Sequence, residues 1–144
     1  VAANPDYEKL NSATENGAVY WKPSDVITNS MKSEKITKEG YPYLTDSVHV
    51  RYKGWYYNKD GDEVVFDTTE GTSNGYVYKT RVNKVIPGWA DMLTNMKEGE
   101  EVEVCIPYEL AYGTYGSGSI PGYTTLRFYI KLLKIIPDNP GEFD

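Results

Sequence analysis

The sequence predicts an α+β domain in which an antiparallel sheet folds over one short helix. Two segments, 47–57 and 125–136, alternate apolar and polar residues, which is the period of a strand with one buried face. Between them, Trp89, Met92, Leu93 and Met96 follow the i, i+3, i+4, i+7 spacing of a helix face. Several strands around a single embedded helix are typical of the α+β class.

The N-terminal part has the weakest pattern. Residues 1–17 are polar and without a strong period, so we expect a polar extension or tether. Residues 18–27 predict a first strand, which Pro23 interrupts and which we therefore place at a sheet edge. For the charged connection 28–43 we predict no regular secondary structure.

The middle of the chain predicts a hairpin and one further strand. The strand 47–57 is followed by Asp60-Gly61, a strong signal for a hairpin turn, and 63–67 returns as the partner strand. A polar loop at 68–75 then precedes a short strand at 76–80, where Tyr76 and Tyr78 share a face.

The helix and the strands after it are better defined. Pro87 suits the start of a helix, because its missing N–H has no helical partner there. In 101–106, valine and isoleucine alternate with Glu101, Glu103 and Cys105, so we expect one buried and one solvated face. A glycine-rich loop, 114–124, leads into the last strand.

Composition and charge exclude several classes of function. The net charge of -6 argues against nucleic acid or an anionic membrane as the main partner. The single cysteine, Cys105, cannot form an internal disulfide, and no zinc-ligand spacing is present. The single histidine, His49, alternates onto the outward face of its strand, which disfavours a nucleophile–histidine pair. We expect neither a metal nor a cofactor, and no apolar run is long enough to span a membrane.

The stretch VIPGWADMLTNMKEGEEVEVCIPYELAYG, residues 85–113, and IPGYTTLRFYIKLLKI after it closely resemble the FKBP-type peptidyl-prolyl cis-trans isomerases, or rotamases. The resemblance covers roughly 47–136 and includes the Tyr52 and Phe66-Asp67 positions. It implies a curved antiparallel half-barrel wrapped around one short helix. We predict an isomerase domain over 18–136, between the extension 1–17 and a polar tail, 137–144.

The resemblance implies a shallow aromatic pocket between helix and sheet. Trp89 is its floor, the backbone N–H of Ile86 and the Tyr112 hydroxyl bind carbonyls of the bound chain, and Ile120 caps it. The positions implied as catalytic are Tyr52, Asp67, Tyr112 and Phe128, and those implied for substrate binding are Phe66, Tyr76, Val85, Ile86, Trp89 and Ile120. From the residues alone, a core position is the favoured interpretation of Trp89, a core position and a pocket wall are equally favoured for Tyr76, and Asp67 fits a turn cap.

Three positions depart from the family pattern. Some members have an arginine a few residues after the aspartate, where this chain has Glu70 and Thr72. Asp67 is therefore expected to be held by tyrosine hydroxyls or backbone, or to be less fixed. A loop histidine of some members is Ser117, and the loop is about one residue short. These changes affect loop contacts and macrolide affinity more than catalysis.

The implied activity is rotation about X–Pro amide bonds of protein substrates by desolvation and positioning. The partners are proline-containing polypeptides, with immunosuppressant macrolides as candidate ligands. The alternatives are a non-catalytic peptide-binding or chaperone module and a structural domain with an unused pocket. The first residue is Val1, and the chain is rich in Asn, Ser, Thr and Tyr. We therefore expect a processed extracytoplasmic bacterial protein, periplasmic or lipid-anchored, with a cytoplasmic one as the alternative.

Overall fold

The computed structural model describes residues 7–27, 40–70 and 75–138. The strands of this part are β1 (Glu8–Asn11), β2 (Ala18–Pro23), β3 (Ser47–Tyr57), β4 (Glu63–Thr68), β5 (Tyr78–Arg81), β6 (Glu101–Ile106) and β7 (Leu126–Ile136). The helix α1 (Pro87–Leu93) lies between β5 and β6, and 3-10 helical turns occupy Val82–Lys84 and Tyr108–Leu110.

The seven strands form one antiparallel sheet built around β3 and β7. The order is β1-β2-β6-β7-β3-β4, and β5 shares the outer edge of β3 with β4. β3 is long enough for this arrangement, because β5 pairs with Ser47–Val50 and β4 pairs with Lys53–Tyr57. The predicted α+β class, with one short helix on an open antiparallel sheet, is confirmed.

The core lies between α1 and the concave face of the sheet. Met92, Leu93 and Met96 are at most 1% exposed, as the helical spacing predicts. The α-helix, however, ends at Leu93, before Met96. The Thr94 hydroxyl donates to the carbonyls of Ala90 and Asp91, and such side-chain bonds compete with continuation of the helix.

β6 differs from its prediction, because both of its faces are buried. Glu101 is 8% and Cys105 1% exposed. The Glu101 carboxylate accepts hydrogen bonds from the Ser24 hydroxyl at 2.6 Å and the Val26 N–H at 2.9 Å. The chain after β2 therefore covers this face, and the expectation of a solvated edge is wrong at Glu101.

The N-terminal segment also differs from its prediction over the described part, 7–17. β1 pairs with β2, Leu10 packs on the core, and Ser12 is 6% exposed. The expectation of a loose tether is therefore wrong for these residues. The expected edge position of β2 is wrong too, because β2 lies between β1 and β6.

The remaining expectations on connections are partly outside the described residues. Residues 1–6, 28–39, 71–74 and 139–144 are not described. At the start of the predicted tail, the Asp138 N–H donates to the Asp46 carboxylate at 3.0 Å. The predicted domain boundaries at 17/18 and 136/137 stay predictions.

Candidate active site

A cavity of about 310 Å³ opens between α1 and the concave face of the sheet. Its walls come from β3, β4, β5, β7, the turn before α1 and the loop after β6. The lining residues are Tyr52, Phe66, Asp67, Tyr78, Lys84, Val85, Ile86, Trp89, Tyr112 and Phe128.

The floor of the cavity is a cluster of aromatic rings packed edge to face. The Trp89 ring centroid lies 5.0 Å from that of Tyr52 and 5.3 Å from that of Phe128, with interplanar angles of 88° and 90°. Phe66 meets Phe128 at 5.6 Å and 85°. This geometry is favoured by the ring quadrupoles. Trp89 is only 4% exposed, so its ring is almost fully covered by these neighbours.

Gly54 on β3 makes this ring cluster possible. A Cβ atom at this position would lie 2.6 Å from the Phe128 ring and 2.8 Å from the Phe66 ring. The β3–β4 register also shifts between Gly54 and Trp55. A glycine inside a strand commonly marks such a close approach, and this signal was available in the sequence.

The polar side of the cavity is built on Tyr52 and Asp67. The Tyr52 hydroxyl donates to the Asp67 carboxylate at 2.5 Å. Burial and then this hydrogen bond raise the pKa of Tyr52. The expectation that a tyrosine hydroxyl holds Asp67 is confirmed. Glu70, in the region where some family members have the arginine, pairs instead with Arg51 at 2.7 Å.

Two hydrogen-bond donors at the cavity have no partner among the described residues. One is the Tyr112 hydroxyl, and the other is the backbone N–H of Ile86, the residue that precedes α1. Burial, and then the charge of Asp67, raise the pKa of Tyr112, so its hydroxyl remains a donor at neutral pH. Both groups are available to a bound carbonyl.

The structure brings eight of the ten predicted site residues to one cavity. It does not place Tyr76 and Ile120 there. Tyr76 precedes β5 and is 53% exposed, and Tyr78 lines the wall instead, with its ring 5.7 Å from that of Tyr52. Ile120 is 7% exposed and belongs to the hydrophobic core.

Two lining residues, Tyr78 and Lys84, were missed by sequence reasoning. Tyr78 could have been found, because it shares a strand face with Tyr76. The sequence gives no comparable signal for Lys84, which immediately precedes the recognised motif.

The convex face of the sheet holds the other candidate groups. His49 is outside the cavity, and burial followed by the charges of Lys79 and Lys134 lowers its pKa. Cys105 is buried, which raises the pKa of its thiol. Within the described ranges, no group of three potential metal ligands comes together. No helix of the described chain has the length and apolar character needed to cross a membrane.

Comparison with known proteins places this geometry in a family. Residues 39–133 match the sequence profile of the FKBP-type peptidyl-prolyl cis-trans isomerases. The FKBP-type 22 kDa peptidyl-prolyl cis-trans isomerase of Escherichia coli K12 is 45% identical over 96 residues, 66% of this chain and 44% of that protein. The macrophage infectivity potentiator of Trypanosoma cruzi is 39% identical over 102 residues, 70% of this chain and 49% of that protein.

A solved structure agrees with the sequence matches. The crystal structure of FkpA from Escherichia coli superposes with a TM-score of 0.69 at 32% identity, covering 94% of this chain and 54% of that one. The chain spans less than half the length of the two curated relatives above. Because the family profile matches more than half of the sequence, from before β3 into β7, the chain belongs to the FKBP-type peptidyl-prolyl cis-trans isomerase family.

Proposed function

We propose that this chain catalyses cis–trans isomerisation of X–Pro amide bonds in polypeptides. One observation carries the proposal: an aromatic cavity has two hydrogen-bond donors without partners among the described residues, the Ile86 N–H and the Tyr112 hydroxyl. Family membership supports the same activity.

The aromatic floor acts on the amide itself. Rotation about an amide bond has a barrier of about 18–20 kcal/mol, because it breaks the resonance between nitrogen and carbonyl. The twisted amide has lost the charge separation of the planar form. A pocket of Trp89, Phe66 and Phe128 therefore favours the twisted amide over the planar ground state. No proton transfer and no covalent intermediate is needed.

The two free donors position the chain on either side of the rotating bond. One neutral hydrogen bond contributes roughly 0.5–1.5 kcal/mol. A hundredfold acceleration requires only about 2.7 kcal/mol. Two such bonds and the apolar floor together are of the right size for this acceleration.

The other lining residues support these groups. Tyr52 orients Asp67 through their hydrogen bond, and the Asp67 carboxylate in turn lies near the Tyr112 hydroxyl. Val85 and Tyr78 complete the apolar wall. We assign no direct substrate contact to Tyr76 or Ile120.

The test is a protease-coupled isomerisation assay on a chromogenic X–Pro peptide. We expect a first-order rate that increases in proportion to the concentration of folded protein. Folded protein that leaves the uncatalysed rate unchanged would refute the proposal. If that protein still suppressed aggregation of unfolded chains, the binding or chaperone alternative would replace it.

Ligands and compartment are part of the same proposal. We propose proline-containing polypeptides as substrates and an extracytoplasmic bacterial location, which cell fractionation tests. A proline-mimicking macrolide should enter the cavity and change the fluorescence of Trp89. Asp67 has no arginine partner among the described residues, so we expect weak binding. A titration that leaves the fluorescence unchanged would show that the macrolide does not enter the cavity.

A further inference from the structure

Lys84 is the only cation among the described residues that line the cavity. It ends the 3-10 turn that leads into α1, two residues before the free N–H of Ile86. Its side chain is exposed and forms no salt bridge with any described residue. The position of the backbone therefore presents an unpaired ammonium group beside a proposed substrate contact.

Several cations of the sheet are already paired. Arg51 binds Glu70 at 2.7 Å, Lys53 binds Glu63 at 3.4 Å, and Arg81 lies 3.8 Å from Asp138. The whole chain carries a net charge of -6, so its long-range field repels acidic peptides. Lys84 is a local exception to that field, located at the cavity itself.

The two charges of the cavity belong to different elements. Asp67 lies near the end of β4, where it accepts the hydrogen bond from Tyr52. Lys84 belongs to the turn before α1, on the side of Ile86. A polypeptide bound to both Tyr112 and Ile86 would therefore pass the anionic Asp67 near Tyr112 and the cationic Lys84 near Ile86.

We propose that Lys84 selects substrates that carry a carboxylate side chain directly next to the proline, on the side that passes Ile86. This inference rests on the proposed isomerase function and adds a substrate class to it. An exposed ion pair of this kind changes an equilibrium by up to about fivefold. The preference should therefore be modest, about two- to fivefold in kcat/KM, and sensitive to salt.

The experiment compares matched peptides by NMR exchange spectroscopy, which avoids a protease with its own sequence preference. Two pairs are used, with glutamate or glutamine immediately before the proline, and with glutamate or glutamine immediately after it. At low salt, we expect glutamate to exceed glutamine about two- to fivefold at one of these positions. The ratio should fall to about one in Lys84→Gln and below one in Lys84→Glu.

Lys79→Gln is the matched control, because Lys79 is an exposed lysine on β5 outside the cavity lining. It should keep the preference of the wild type. Raising salt from about 0.01 M to about 1 M shortens the Debye length from about 30 Å to about 3 Å and should remove the preference.

The outcomes separate the two proposals. Wild-type protein that isomerises the glutamine peptides but shows a ratio of one at both positions overturns the role of Lys84 alone. A preference that persists in Lys84→Gln overturns it as well. Wild-type protein that isomerises none of the four peptides refutes the isomerase function, and the inference fails with it.

Discussion

The two sides of helix α1 differ in whether their polar groups have hydrogen-bond partners within the chain. Trp89 faces the cavity, where the Ile86 N–H and the Tyr112 hydroxyl are left without partners in the described chain. Asp91, two residues on and hence on the other side of the helix, is 7% exposed and accepts the Ala13 N–H at 3.1 Å.

This difference indicates which region serves function and which serves stability. Unpaired donors at an open cavity remain hydrated and ready for a ligand, so they cost little in the free protein. A buried carboxylate such as that of Asp91 depends instead on partners within the chain, and its Oδ1 accepts from the Ala13 N–H. Changes at the cavity should therefore affect activity. Changes on the side of α1 that faces residues 7–17 should affect the free energy of unfolding.

The largest expected effect is at the floor of the cavity. Trp89→Ala should lower the free energy of unfolding by about 3–5 kcal/mol and remove most isomerase activity. Met92→Ala is the matched control, since Met92 is equally buried on α1 but does not line the cavity. It should lose about 2–5 kcal/mol while the folded fraction keeps its kcat/KM. Urea unfolding and the isomerisation assay measure both quantities, and equal activity losses in the two variants would contradict the distinction.

The second effect tests the side of α1 that faces the N-terminal segment 7–17. Asp91→Ala removes the acceptor of the Ala13 N–H, and because Ala13 is exposed water can replace it, so the free energy of unfolding should fall by about 0.5–1.5 kcal/mol. Asp91→Asn retains an acceptor oxygen and should lose less. In both variants, kcat/KM of the folded protein should match the wild type. A large activity loss with unchanged stability would show that the two sides of α1 are not independent.

The third effect is expected at the mouth of the cavity. Tyr112→Phe removes one donor and should reduce kcat/KM about two- to thirteenfold, the equivalent of one neutral hydrogen bond. Its urea midpoint should not move, because the hydroxyl has no partner among the described residues. Tyr115→Phe, at a side chain that is 98% exposed, should change neither quantity. A Tyr112→Phe variant with wild-type activity would remove the hydroxyl from the mechanism.

The smallest effect concerns pH. The pKa of both Tyr52 and Tyr112 is raised, and His49 lies outside the cavity, so kcat/KM should be nearly flat from about pH 6 to 8. The lowered pKa of His49 favours its neutral form in the folded state. Its contribution to stability is therefore present above the unfolded value of about 6.5 and is lost as pH falls below it.

The measurement is Tm and kcat/KM against pH for the wild type and His49→Gln. The variant should show a weaker fall in Tm below about pH 6.5 and the same flat activity profile. A steep activity profile that disappears in His49→Gln would indicate acid–base catalysis and overturn the mechanism.

The sequence by itself determined the fold class, the central strands and most of the cavity. Alternation over 47–57 and 125–136 reports which side of a strand is apolar, and that period is a local property. The family resemblance located eight lining residues, four of them in the motif around Trp89 and Tyr112 and four at Tyr52, Phe66, Asp67 and Phe128. Because Glu70 stands where some family members have an arginine, a tyrosine hydroxyl was one predicted partner for Asp67, and Tyr52 supplies it.

Only the tertiary structure decided what covers each surface. β1 has one apolar residue in four, Leu10, and it is held at the sheet edge by main-chain pairing with β2 on one side. Glu101 is charged yet buried, because Ser24 and Val26 close over it from about 75 residues away in sequence. The choice of Tyr78 over Tyr76 depends on where β5 begins against β3. These outcomes depend on contacts between distant segments, which no local period encodes.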